Sequence, residues 1–155
     1  MVPCAVPPHK VQRSMLPFDL RAHMVEACAQ GLPWLRCNRM EAQRQGPSYT
    51  WDTLCAYREA EPETDLYFIL GSPDFAMLSA ERAPVLPACP CMALPGGGLA
   101  HFLSVPWLAV SASRVRQLWL TGRNVDFLVP DAALQILRNN AQTVRHHWLE
   151  DGAVC

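Results

Sequence analysis

The sequence has no apolar run close to the ~20 residues a helix needs to cross a bilayer. Its first residues, MVPCAVPPHK, lack the long apolar core of a secretory leader. The expectation is a soluble, cytoplasmic protein without a membrane partner. Charge of either sign is also in short supply as an excess. Thirteen Lys and Arg stand against 14 Asp and Glu, a formal net charge of −1. No basic face follows from that balance, so nucleic acid is not an expected partner. Internal repeats and low-complexity tracts are absent. Metal-ligand spacing is absent too. Of the seven cysteines, Cys4, Cys28, Cys37, Cys55, Cys89, Cys91 and Cys155, only Cys89 and Cys91 are close, and no second Cys or His pair accompanies them. An odd number at irregular intervals is a poor disulfide framework, and inert thiols are the reading. No histidine is placed to serve a nucleophile. His23 falls on a helix, His101 in a loop, and adjacent His146 and His147 point different ways.

What is present is apolar content. Half of the 155 residues are hydrophobic and 17% are charged, a composition suited to one folded domain over residues 1–155. Pro3, Pro7 and Pro8 make the first 15 residues a loop. A helix is expected from Phe18 to Gln30, with Leu20, Met24, Ala27 and Cys28 on one face and Gly31 ending it. LRCNRMEA, residues 35–42, is a possible strand. GPSYTWDTL opens a helix from about Thr50 to Ala60, closed by Pro62. DLYFILG, residues 65–71, is apolar nearly throughout and suits a strand covered on both faces. Six prolines between 73 and 106 make most of that stretch loop, with one short strand near CMAL. WLAV, 107–110, is a second strand candidate. A helix capped by Ser111 or Ser113 follows and ends at Gly122. Pro130 starts another, presenting Ala133, Leu134, Leu137 and Ala141, and the chain after His147 is expected to fray. Strand, loop and helix in succession give an α/β fold with a mainly parallel sheet.

In such folds ligands bind where strands end and helices begin. Three places qualify. In VSASRVR, hydroxyls and two arginines sit at a helix start, where free N–H groups attract anions; the plainer alternative is a Ser cap with solvated arginines. In GPSYT, Ser48 and Thr50 can cap while the Tyr49 and Thr50 amides hold a carboxylate or phosphate and Tyr49 stacks on a ring; an ordinary capped helix is the alternative. In LGSPD, Gly71 admits a close ligand and Asp74 accepts from a ribose or adenine group, or the segment is a plain turn. Lys10, in PPHK, either meets a phosphate or faces water.

Taken in order, VPxxxPPHK, GPSYTxDTL, LYFILGS, SxSxxR and LVPDAxxxI resemble the nicotinate mononucleotide adenylyltransferases, over about residues 2–137. The resemblance implies a Rossmann-like nucleotidyltransferase fold and adenylyl transfer from ATP to nicotinate mononucleotide, giving deamido-NAD and pyrophosphate. It implies Ser48, Tyr49, Thr50 and Asp52 at the nicotinate, and His9, Lys10, Gly71, Ser72, Asp74, Ser111, Ser113 and Arg116 at the nucleotide, with Mg²⁺ accompanying ATP. A non-catalytic nucleotide-binding relative and one serving another acceptor, phosphopantetheine or nicotinamide mononucleotide, are the alternatives. The family's Gly-Gly-x-Phe-Asp-Pro-x-His-x-Gly-His element has no counterpart here, so no catalytic residue is assigned. The expected fold is correspondingly N-terminally truncated, and the chain alone is expected not to turn over. Two smaller departures are the Pro73 inserted before Asp74, and the lack of the family's Trp in FAMLSAERAPVLPACP.

Overall fold

A computed structural model describes residues 1–8, 15–71, 91–93, 98–103, 105 and 110–150. The chain divides into two compact units, Met1–Thr64 with Val110–Cys155, and Asp65–Ala109.

The first unit is helical. α1 spans Phe18–Ala29, α2 Thr50–Ala60, α3 Ala112–Leu120, α4 Asp131–Asn139 and α5 Ala141–Glu150, with a 3₁₀ turn at Met40–Gln43. α1 begins behind Pro17, whose ψ of 142° lies outside the helical region, and ends before Gly31 at φ 79°, a conformation that favours glycine. α4 starts behind Pro130 and buries Ala133, Leu134 and Leu137. Their spacing of three and four residues places them on one face. α5 follows after Asn140 and buries Val144 and Trp148, again four residues apart. Leu16, Leu137, Val144 and Trp148 form the core, and Leu20, Met24, Trp119, Leu120 and Val129 pack against it. Residues 148–150 therefore do not fray: Trp148 anchors the last turn of α5, because an aromatic buried there removes a large apolar area from water, and residues 151–155 lie outside the described residues.

The N-terminal segment is bonded to this unit. Asn38 donates its backbone N–H to Met1 O at 2.9 Å and its side-chain amide to Tyr57 Oη at 2.9 Å. Arg21 donates from Nη1 to Cys4 O at 2.5 Å and from Nε to Leu16 O at 2.9 Å. Residues 35–42 are not a strand. Their second half winds into the 3₁₀ turn, and Glu41, a poor strand former at the position that would need it, is buried with its carboxylate bonded.

In the second unit, β1 (Cys91–Ala93) pairs antiparallel with β2 (Leu99–His101), Met92 opposite Ala100. This is the only sheet among the described residues, so the expected parallel sheet is not seen there. Residues 65–71 carry no strand and no backbone hydrogen bond among the described residues, and Ile69 is 93% exposed. A strand exists only through its pairing partner, and the apolar run by itself supplies none. WLAV lies outside the described residues except for Val110. No described helix is long and apolar enough to cross a membrane.

Candidate nucleotide-binding site

The start of α2 is built by a turn at Gly46, held at φ 88°, which delivers Pro47 and Ser48 to the helix. Ser48 does not cap. Its N–H donates to Val6 O at 2.7 Å, and its hydroxyl accepts from the Val6 N–H at 3.1 Å. This pairing buries Ser48 and fixes the motif to the N-terminal segment. Tyr49 occupies the cap position without a side-chain cap bond. Among the described residues the first amides of α2, at Thr50, Trp51 and Asp52, thus have no protein acceptor. They carry the positive end of the helix dipole. Tyr49 and Trp51 flank them, 51% and 74% exposed. Asp52 lies exposed in the first turn, where its charge complements the dipole.

Behind this opening lies a buried polar frame that no local sequence pattern announces. Glu41 is 7% exposed. Its Oε2 accepts from the Ala5 N–H at 3.2 Å, and its Oε1 accepts from Thr53 Oγ1 at 2.8 Å. Arg44 Nη2 donates to the same Thr53 oxygen at 2.5 Å and stands 3.7 Å from Glu41 Oε1. Burial, and then the Glu41 charge, raise the Cys4 thiol above its ordinary pKa, so Cys4 stays protonated and is no nucleophile. A Glu in a segment that reads as a strand, and a Thr inside a helix, give no pattern that would have revealed this frame.

The start of α3 is different in character. Ser111 caps it, its hydroxyl accepting from the Arg114 N–H at 3.2 Å. Arg116 donates to Ser113 Oγ at 3.2 Å, and Arg114 to Gln117 Oε1 at 2.8 Å. Neither arginine has a carboxylate partner among the described residues. An open depression is lined by Ser113, Arg114, Arg116 and Gln117. The first turns of α1, α2 and α4 each hold an aspartate, whereas that of α3 holds none. Its dipole and its guanidinium groups are left uncompensated, an arrangement suited to phosphate.

Ser48, Tyr49, Thr50 and Asp52 thus stand together at α2, and Ser111, Ser113 and Arg116 at α3. No hydrogen bond or ion pair joins the two groups among the described residues. Gly71 is exposed and belongs to the second unit. His9, Lys10, Ser72 and Asp74 lie outside the described residues.

No family model matches the sequence. A probable nicotinate-nucleotide adenylyltransferase of Pelobacter propionicus is 33% identical over 164 residues, covering 83% of this chain and 76% of that protein. The chain belongs to the nicotinate-nucleotide adenylyltransferase family. Two further proteins of the same name, from Dehalococcoides mccartyi and Geobacter sulfurreducens, are each 30% identical, over 90% and 94% of this chain and 78% and 83% of theirs. Membership in the nicotinate-nucleotide adenylyltransferase family carries the α/β nucleotidyltransferase fold class. It gives the two helix starts a common context, since both lie in the stretches that resemble this family.

Proposed function

We propose that the chain transfers the adenylyl group of ATP to the phosphate of nicotinate mononucleotide, forming deamido-NAD and releasing pyrophosphate. An oxygen of the mononucleotide phosphate attacks the α-phosphorus of ATP as the bond to the β-phosphate oxygen breaks, and no covalent enzyme intermediate is required. The contribution of the protein is positioning and charge stabilisation. In this reading the free amides at Thr50 and Trp51 receive the nicotinate carboxylate, Tyr49 lies against the pyridine ring, and Asp52 and Ser48 shape the pocket. Ser111, Ser113 and Arg116 hold ATP phosphates. Mg²⁺ enters as part of the ATP substrate and offsets its charge. Among the described residues no group of three or more His, Cys, Asp or Glu could hold a metal independently.

The observation that carries the proposal is the uncapped start of α2. Its hydroxyl neighbour is committed to Val6 and its amides are left for an anion. A carboxylate gains charge-assisted bonds there that a neutral carboxamide cannot match, so nicotinate is preferred over nicotinamide mononucleotide. The proposal extends to the fold: a Rossmann-like nucleotidyltransferase domain with a mainly parallel sheet, supported by family membership. The test combines binding and turnover. Calorimetry with both mononucleotides is expected to show tighter binding of nicotinate mononucleotide, and chromatography after incubation with ATP to show deamido-NAD, a product that would set aside the expectation, drawn from the missing Gly-Gly-x-Phe-Asp-Pro-x-His-x-Gly-His element, that the chain alone does not turn over. Saturable binding without product identifies a ligand-binding member that does not turn over. The absence of both binding and product would overturn the proposal.

A further inference from the structure

We infer that Glu41 is a positioning residue for the acceptor end of the site, acting through Thr53 and Ala5, an inference that rests on the nicotinate reading of the α2 start. Glu41 touches no proposed ligand group. It lies in the 3₁₀ turn at Met40–Gln43, yet both of its carboxylate oxygens are used, one by the Ala5 N–H and one by the Thr53 hydroxyl. Thr53 is three residues beyond Thr50, on the inner side of the turn whose outer end presents the free amides. Its N–H donates to Tyr49 O at 3.3 Å, closing that first turn. Ala5 precedes Val6, whose N–H and C=O are both paired with Ser48.

One carboxylate thus ties the first turn of α2 to the strip of chain against which Ser48 is registered. Arg21 also holds the same strip, donating to Cys4 O, and Arg44 donates to the Thr53 hydroxyl oxygen. The direction of the α2 amides is therefore set by bonds made at Glu41. A buried carboxylate is an expensive choice for a merely structural contact, and both its acceptors' partners border the acceptor motif. Glutamine matches it only in part: with its one acceptor oxygen turned to the Ala5 N–H, its amide meets the Thr53 hydroxyl as a donor, reversing that bond beside the Arg44 donor already there.

The test measures nicotinate mononucleotide affinity and thermal unfolding of the full chain side by side. Two variants remove the tie in different ways: E41L deletes both acceptor oxygens, and T53V keeps the shape while deleting the hydroxyl. Both are expected to raise Kd about tenfold or more through misdirected amides, and the double variant is expected to be no worse than the more severe single one. T53S, which returns the hydroxyl, restores the affinity. V144A, a core truncation in α5, supplies the comparison: it lowers the unfolding temperature and leaves Kd unchanged. Wild-type affinity in E41L and T53V, whatever their unfolding temperatures, would overturn the inference and leave the nicotinate reading standing. Failure of the wild-type chain to bind is a separate result. It removes the reading itself, and the inference with it, before any variant is compared.

Discussion

Trp119 of α3 and Trp148 of α5 meet edge to face, their ring centroids 6.3 Å apart and their planes at 85°. This contact carries the last turn of α5 into the core, since Trp148 is buried with Val144 and Leu137. It also leaves the Trp119 Nε1–H buried with no acceptor among the described residues. The account predicts that Trp148→Ala costs about 3–5 kcal/mol, the usual range for truncating a buried large aromatic. The urea midpoint of the variant checks this. A loss within a few tenths of a kcal/mol would mean that α5 is not part of the core.

The turn between α3 and α4 holds Phe127 at φ 64° with the side chain fully exposed. Asn124 Oδ1 accepts from the Asp126 N–H at 2.8 Å, and the Leu128 N–H donates to Val125 O at 3.1 Å, so the turn is fixed from both sides. A left-handed backbone costs a residue with a side chain about 1–2 kcal/mol, and here no packing offsets it. Phe127→Gly is expected to stabilise the protein by up to about 1 kcal/mol after the added freedom of the unfolded chain is counted. A rise in the thermal midpoint would agree, and a clear fall would show that the aromatic makes a contact that matters.

Arg39 clasps Glu26 of α1 with two bonds, at 2.6 and 2.9 Å, and reaches Asp19 at 2.8 Å. The bond from Arg39 holds the Glu26 carboxyl below its usual pKa, and the same bond raises that of Arg39. A carboxylate depressed on folding contributes stability above its unfolded pKa of about 4.3 and loses it as pH falls through the folded value. Stability against urea is therefore expected to drop on acidification from about pH 5 towards 3, and Glu26→Gln is expected to flatten part of that slope. An identical slope in the variant would assign the acid sensitivity elsewhere. The effect is modest because the pair is exposed and screened.

Local chemistry was legible in the sequence where backbone conformation is dictated by one residue. Gly31 and Gly122 mark helix ends, Pro130 precedes α4, and Ser111 caps α3 as its hydroxyl and position require. α2 begins at Thr50 and ends at Ala60, as the motif and Pro62 indicate. Tertiary choices were not legible. Ser48 has the same hydroxyl as Ser111, but a neighbouring segment, at Val6, competes for it and wins. Glu41 is buried because two donors from distant parts of the chain converge on it, a relation across 36 and 12 residues that no local pattern encodes. The strand expected at 65–71 failed for the related reason that pairing is a property of two segments.

In the proposed function the start of α2 and the start of α3 serve one dinucleotide. Amide chemical shifts on ¹⁵N-labelled protein test it most directly, because the claimed contacts are to backbone N–H groups. Titration with deamido-NAD is predicted to move the amides of Thr50 and Trp51 together with those of Ala112 and Ser113, along a single saturation curve. Shifts confined to one helix start, or absent from both while other residues respond, would contradict the account.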